Sequence, residues 1–112
     1  MAALEKAKAE RKVIVLDFTA EWCLNCKALE ILLNSDEIQK RLSEPDVVAI
    51  KADLTSKWLE DGSPNPAWEY MRDLKEVGPP ILVIYGPGRP DFFKANSYTK
   101  SVVLDEIAKS RG

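Results

Sequence analysis

The chain contains no histidine, and Cys23 and Cys26 are its only cysteines. A structural zinc site normally takes four cysteine or histidine ligands, so we expect no metal site within the chain. No apolar stretch reaches the length of about 20 residues that a membrane-spanning helix needs, so we expect no direct membrane insertion of this chain. The formal net charge is only −2, which gives no electrostatic case for binding nucleic acid.

The composition that is present fits one compact globular domain. The chain has 112 residues, of which 46 % are hydrophobic, enough to bury a core without external support. It shows no internal repeat or flexible linker, so we predict a single domain over residues 1–112 and expect a monomer. The segment Met1 to Lys12 lacks the apolar centre of a signal peptide. Two interpretations follow, an untargeted soluble protein or a domain cut from a longer one.

Apolar runs and turn residues predict an alternating order of strands and helices. The strands are predicted at Val13–Thr19, Val47–Ile50 running on towards Asp53, Ile81–Tyr85 and Asp91–Ala95. The helices are predicted at Ala2–Arg11, Lys27–Leu33, a segment capped by Ser35, Ala67–Val77 and Ser101–Lys109. Between them, Thr55 to Pro66 is predicted as a loop with one helical turn around Trp58-Leu59. The order βαβαββα, preceded by an extra helix, predicts an α/β fold with a mixed sheet between helices.

Cys23-Leu24-Asn25-Cys26 lies directly after the first predicted strand and before a predicted helix. If Cys23 caps that helix, Cys26 lies one turn later and the two sulfurs come within disulfide reach. The unpaired N–H groups and the positive dipole end of the helix then favour the Cys23 thiolate, which is the attacking species in disulfide exchange. The alternative is a structural disulfide, but so short a loop would stabilise the fold only weakly.

Two segments resemble the active-site motifs of thioredoxin-fold proteins. Val15 to Lys27 is similar to the family's strand with a buried aspartate, which leads through Ala-x-Trp-Cys-x-x-Cys-Lys into a helix. Gly78-Pro79-Pro80 resembles the family's Gly-x-Pro, so the resemblance implies that Pro80 is cis and faces the dithiol. It also implies a thioredoxin fold with a central four-stranded sheet, and thiol:disulfide exchange with no cofactor beyond the redox-active disulfide. Pro79 stands where the family usually has an aliphatic residue whose backbone pairs with a bound partner.

Within that family, three further segments resemble the C-terminal periplasmic domain of DsbD-type transmembrane thiol:disulfide interchange proteins. They are Ala2–Glu10, Asn34–Lys40 and Ala52–Thr55. The resemblance implies a periplasmic location and partners that are protein thiols and disulfides, namely a membrane-embedded redox domain and other periplasmic thiol proteins. Two alternatives stay open: a free cytoplasmic thioredoxin-like protein reduced by a flavoprotein, and a non-catalytic binding module of the same fold.

The expected chemistry assigns different roles to the two cysteines. Cys23 forms a mixed disulfide with a partner, and the more buried Cys26 resolves it by attacking the Cys23 sulfur. Because burial disfavours the Cys26 thiolate, resolution needs a proton acceptor. Asp17 is the candidate, since an acid in an otherwise apolar strand is costly to bury unless it is used or paired. The alternative is an Asp17 satisfied by a neighbouring hydroxyl or by Lys51.

The residues that flank the dithiol refine this expectation. We expect Trp22 to pack as a platform under the active-site loop. Glu21 either disfavours the Cys23 thiolate by its charge or is simply solvated. Oxidising members of the fold often carry histidine where Asn25 stands, so the chain is predicted to be a reductant or electron relay. Its potential is expected closer to about −270 mV than to about −120 mV. For Trp58, in a loop longer than the family's, a partner-contact role and a structural role are both open.

Overall fold

The computed structural model describes residues 2–112. Its helices are α1 (Ala2–Ala9), α2 (Leu24–Leu33), α3 (Asp36–Leu42), α4 (Pro66–Asp73) and α5 (Lys100–Ser110). Its strands are β1 (Val13–Thr19), β2 (Val47–Asp53), β3 (Ile81–Tyr85) and β4 (Phe93–Ala95). The predicted element order, including the additional N-terminal helix, is confirmed.

The four strands form one mixed sheet in the order β2-β1-β3-β4. β1 runs parallel to β2, with Val13 opposite Val47 and Thr19 opposite Asp53. β3 is antiparallel to both β1 and β4. The end of β1, the end of β2 and the start of β3 therefore meet at one edge of the sheet.

Helices cover both faces of the sheet, as the continuous apolar run of β1 predicts. Its residues alternate, so Ile14, Leu16 and Phe18 pack into the core that includes α1 and α4, whereas Val13 and Val15 pack into the core that includes α3 and α5. Asp17 follows the same alternation and lies on the second face.

The apolar run Val47–Ile50 is typical of a buried strand, but β2 is buried only in part. β2 is an edge strand, and Ala49, Lys51 and Asp53 are exposed while Val47 and Ala52 are buried. The sequence misleads because Val47-Val48-Ala49-Ile50 is as apolar as a central strand. β2 lies at the edge of the sheet because it pairs with β1 alone.

Two helices end earlier than predicted, and both end in the same backbone motif. Arg11 has φ of 55° and Lys75 has φ of 61°. The N–H of Lys12 donates a hydrogen bond to the carbonyl of Ala7 at 3.2 Å. The N–H of Glu76 donates one to the carbonyl of Met71 at 3.0 Å. These are Schellman ends, in which a left-handed residue stops the helix. Ser35 precedes α3 as predicted, but its hydroxyl makes no capping hydrogen bond.

The predicted helical turn around Trp58-Leu59 is wrong. Trp58 instead forms an isolated antiparallel bridge with Pro64. Asn65 closes the base of this loop: its side-chain amide donates to the carbonyls of Asp53 and Ser56, each at 2.9 Å. Its side-chain oxygen also accepts a hydrogen bond from the N–H of Ala67 at 3.0 Å and so caps α4.

The helices described within residues 2–112 include none with the length and apolar character needed to span a bilayer.

Candidate active site

Cys23 and Cys26 form a disulfide at the start of α2, with Cα atoms 5.2 Å apart. Cys23 is the N-cap residue, as predicted, and its sulfur accepts a hydrogen bond from the N–H of Cys26 at 3.2 Å. Cys23 is 7 % exposed and Cys26 is 2 % exposed. Both residues are buried, Cys23 slightly less so, and the Cys23 sulfur lies against an N–H group at the start of the helix, where a thiolate is stabilised.

Thr55, just beyond β2, holds the segment that leads from β1 into the dithiol. Its hydroxyl accepts a hydrogen bond from the N–H of Glu21 at 2.9 Å, and its carbonyl accepts one from the indole N–H of Trp22 at 3.0 Å. The Thr55 hydroxyl in turn donates to the carboxylate of Asp53. Trp22 remains 57 % exposed, so it lies beside the active-site loop and not beneath it as expected. The sequence did not predict that Thr55 would hold the active-site loop through these hydrogen bonds.

The peptide bond between Pro79 and Pro80 is cis, as the resemblance implied. Pro80 immediately precedes β3, and Ile81 pairs with Phe18 near the end of β1. This register brings the cis proline to the sheet edge that carries Cys23. Pro79 and Pro80 are both partly exposed, so both are accessible to a partner chain.

Asp17 lies on β1 and is partly buried. Among residues 2–112, no hydrogen bond or ion pair holds its carboxylate. Burial, with a smaller contribution from the charge of Glu30, raises the pKa of Asp17 to about 6, while Lys51 opposes the shift. The structure thus provides an acid that changes protonation close to neutral pH. Its role as the proton acceptor for Cys26 stays a prediction.

Glu30 joins this site from α2, one helical turn after Cys26, and sequence reasoning missed it. Its carboxylate accepts a hydrogen bond from the Thr19 hydroxyl at 2.8 Å and lies 3.4 Å from the ammonium of Lys51. The bond from Thr19 is the main cause that lowers the pKa of Glu30. The spacing of four residues from Cys26 was the available signal, because it places both side chains on one side of α2.

Lys51 lies opposite Asp17 in the register of β1 and β2. Its ammonium pairs with Glu30, so the alternative in which Lys51 satisfies Asp17 directly is not what the structure shows. Tyr98 is buried near these groups, and burial, followed by the charges of Asp17 and Glu30, raises the pKa of its phenol. Glu21 is exposed, and its backbone N–H, not its carboxylate, makes the contact with Thr55.

Exposed apolar side chains occur in the segments that follow the ends of β1 and β2 and precede the start of β3, and we call them the apolar rim. They come from the active-site loop, from the loop after β2 and from the segment before β3, and they are Trp22, Leu24, Trp58, Leu59 and Val77. Trp58 is 63 % exposed, so its side chain is not part of the core. Within the described residues, no group of three or more cysteine or acidic side chains is arranged to hold a metal ion.

The sheet topology, the disulfide at a helix N-terminus and the cis proline beside it define a thioredoxin-like oxidoreductase with a Cys-x-x-Cys site. A family model described as thioredoxin-like matches residues 1–87. The chain belongs to the thioredoxin-like family.

Individual relatives agree with this assignment. The thiol:disulfide interchange protein DsbD of Campylobacter jejuni (strain RM1221) is 34 % identical over 87 residues, which are 76 % of this chain and 14 % of that protein. The oxidised C-terminal domain of Neisseria meningitidis DsbD matches with a TM-score of 0.66 and 22 % identity, covering 98 % of this chain and 91 % of that chain. A thioredoxin from Thermus thermophilus gives a TM-score of 0.68 at 18 % identity, covering 96 % and 80 % of the two chains.

Proposed function

We propose that this protein is a protein-disulfide reductase that relays electrons between protein partners. The observation that carries the proposal is the Cys23–Cys26 disulfide at the N-terminus of α2, together with Asp17 on the preceding strand, whose pKa is raised to about 6. A disulfide that only stapled this turn would add little stability, because it closes so short a loop. In this proposal the disulfide is the only redox group that the protein needs.

The reductive half-reaction begins with the reduced protein. The Cys23 thiolate attacks a partner disulfide, forms a mixed disulfide with one partner sulfur and releases the other as a thiolate. Cys26 then gives its proton to Asp17, and its thiolate attacks the Cys23 sulfur. This step re-forms the Cys23–Cys26 disulfide and releases the second partner thiolate, so two electrons have passed to the partner.

The apolar rim provides a surface on which a partner's cysteine-containing segment docks. Pro79 and Pro80, which are partly exposed, lie at the same edge, and we propose that their backbone contacts that segment while Cys23 reacts. Trp58 and Leu59 extend the rim into the loop closed by Asn65. We therefore assign Trp22, Pro79, Pro80 and this loop to partner binding.

The similarity to DsbD proteins supports a more specific role. We propose that residues 1–112 form one monomeric domain of a DsbD-like protein in the bacterial periplasm. A membrane-embedded redox domain would reduce the Cys23–Cys26 disulfide, and the domain would pass the electrons to other periplasmic thiol proteins. The 34 % identity to Campylobacter DsbD supports this role. The alternative is a free cytoplasmic thioredoxin-like protein.

The first test is a titration of the Cys23–Cys26 couple against glutathione and dithiothreitol buffers, with the reduced fraction read by mass after alkylation. We expect a potential at or below about −230 mV, and a value above about −180 mV would contradict a reductant. A Cys26→Ser variant is the matched control, because it should accumulate the Cys23 mixed disulfide. Failure to exchange with any model disulfide would favour the non-catalytic binding module instead.

A second test addresses Asp17. Resolution of a preformed mixed disulfide should be slower in Asp17→Asn, and the defect should be largest above the Asp17 pKa of about 6. We expect a rate lower by about tenfold or more, in line with the loss of a general base. Equal rates for both proteins across neutral pH would remove Asp17 from the mechanism.

A further inference from the structure

A cleft of about 770 Å³ lies at the end of the sheet opposite the dithiol. Its lining includes Ile14 at the start of β1 and Tyr85 at the end of β3, which are paired in register. The dithiol follows the other end of β1. The volume lies within the range of about 300–1,000 Å³ that small-molecule sites occupy. The cleft is therefore separate from the redox site and large enough for a small ligand.

Aromatic rings contribute the apolar part of this cleft. Tyr85 and Phe92 have ring centroids 5.1 Å apart, and the hydroxyls of Tyr70 and Tyr85 are hydrogen-bonded to each other. The ammonium of Lys8 lies 4.4 Å from the centroid of the Tyr85 ring. Phe92 is 40 % exposed, so a flat ligand can reach its ring. Such surfaces favour stacking with a second aromatic ring.

The charged side chains around these rings are mostly basic. The cleft is lined by five cations and two acids, namely Lys8, Arg11, Lys12, Lys75, Arg89, Asp73 and Asp91. Lys12 and Arg89 are paired with Glu10 and Asp91, at 3.8 and 3.0 Å. Within residues 2–112, Lys8, Arg11 and Lys75 make no ion pair with an acidic side chain. An anion in the cleft would find three cations without acidic partners.

Two of these cations occupy backbone positions that do not suit them. Arg11 and Lys75 are the non-glycine residues with positive φ in the described chain, and each is the left-handed residue that ends a helix. Glycine is favoured there because a β-carbon is disfavoured at positive φ. The helix dipole favours basic residues near a helix C-terminus. It does not explain why the basic residue stands at the position with positive φ, where glycine would be favoured. Strained residues often mark ligand sites, and here both line one cleft.

One wall of the cleft is fixed by close backbone packing. A β-carbon on Gly86 would lie 2.0 Å from the carbonyl oxygen of Ser110 in α5, and one on Gly88 would lie 1.9 Å from that of Arg111. The N–H of Gly88 also donates to the carbonyl of Ser110 at 3.0 Å. The loop between β3 and β4 is thereby held against the end of α5, so this wall of the cleft does not depend on a ligand for its position.

We propose that this cleft binds a small aromatic anion, a flat ring that carries a phosphate or sulfonate group. The ring stacks against Tyr85 and Phe92, and Arg11, Lys75 and Lys8 hold the anionic group. Binding here leaves Cys23 accessible and does not depend on the proposed redox role.

Nuclear magnetic resonance titration of the full chain, with its disulfide intact, tests the proposal. The probes are AMP, naphthalene-1-sulfonate, adenosine and inorganic phosphate. We expect AMP or the sulfonate to shift the amide signals of Arg11, Lys75 and Tyr85, with adenosine and phosphate weaker by at least about tenfold. Which of the two ring anions binds identifies the source of the anionic group. The proposal is wrong if neither shifts these signals at about 5 mM, or if phosphate alone binds as tightly.

Glycine variants separate binding from stability. Arg11→Gly and Lys75→Gly should each raise the melting temperature by roughly 3–6 °C, because they relieve the left-handed backbone. The double variant should weaken the binding of the ring anion at least about tenfold. The exchanged pair Arg11→Lys with Lys75→Arg should retain binding, as should Lys40→Ala on the exposed face of α3. Unchanged binding by the glycine double variant would overturn the proposal.

Discussion

Replacing Asp17 by asparagine should stabilise the protein at neutral pH. Burial and Glu30 raise the pKa of Asp17 from 3.8 to about 6. At about 1.4 kcal/mol for each tenfold change in proton affinity, this difference makes the ionised carboxylate cost about 3 kcal/mol in the folded state. Because the folded protein binds the proton more tightly than the unfolded chain, stability falls as pH rises from about 4 to about 6, and the loss is complete above that range.

Urea unfolding of oxidised wild type and Asp17→Asn between pH 4 and pH 8 measures this effect. The variant should be more stable by up to about 3 kcal/mol at pH 7, equivalent to roughly 13 °C in melting temperature for a chain of this length. At pH 4 the two proteins should differ little. Asp105→Asn, at an exposed position of α5, is the control and should change stability by less than about 0.5 kcal/mol throughout.

A stability difference that is the same at pH 4 and pH 7 would show that folding does not raise the pKa of Asp17. A variant that is less stable at pH 7 would also refute the reasoning, because Asp17 would then be a satisfied structural residue. The second result would favour the alternative in which a neighbouring group pairs with Asp17.

Three further predictions concern the surroundings of the site. Glu30→Gln removes a negative neighbour, so the Asp17 carboxyl should titrate at lower pH in carbon-detected magnetic resonance; an unchanged midpoint would show that burial alone sets it. Trp58→Ala should raise the KM for a protein disulfide about threefold or more without changing the rate with a small disulfide, and equal effects on both substrates would exclude a docking role. Gly86→Ala should destabilise the fold by at least about 2 kcal/mol in urea, since its β-carbon would collide with Ser110. Gly78→Ala is the matched control because its β-carbon would meet nothing within 4 Å, and equal costs would contradict the close packing.

The sequence predicts the centre of the fold better than its margins. β1 and β3 have the predicted bounds, because uninterrupted apolar runs of this length indicate strands covered on both faces. The same reasoning fails for β2, whose apolar run is indistinguishable from theirs although it lies at an edge. The predicted ends of α1 and α4 lie too far along the chain because Arg11 and Lys75 carry no signal for a left-handed backbone. Glycine would have supplied that signal.

The residues of the candidate site also fall into those that the sequence predicts and those that it does not. The dithiol and the cis proline belong to contiguous motifs, so both can be identified from the sequence alone. Glu30 and Thr55 act through contacts with residues distant in the sequence, such as Thr19 and Trp22. Such contacts depend on how α2 and the end of β2 meet at one sheet edge. Local patterns do not contain that information.

The closure of the loop by Asn65 has a consequence for how this protein can diversify. Asn65 and Thr55 fix the two ends of the loop through hydrogen bonds that do not involve the residues between Trp58 and Pro64. Residues inserted or exchanged there add only a small entropic cost, about 0.6 kcal/mol for each doubling of loop length. Under the proposed docking role of this loop, partner preference can evolve, or be engineered, by changing these residues while the thiol chemistry stays constant.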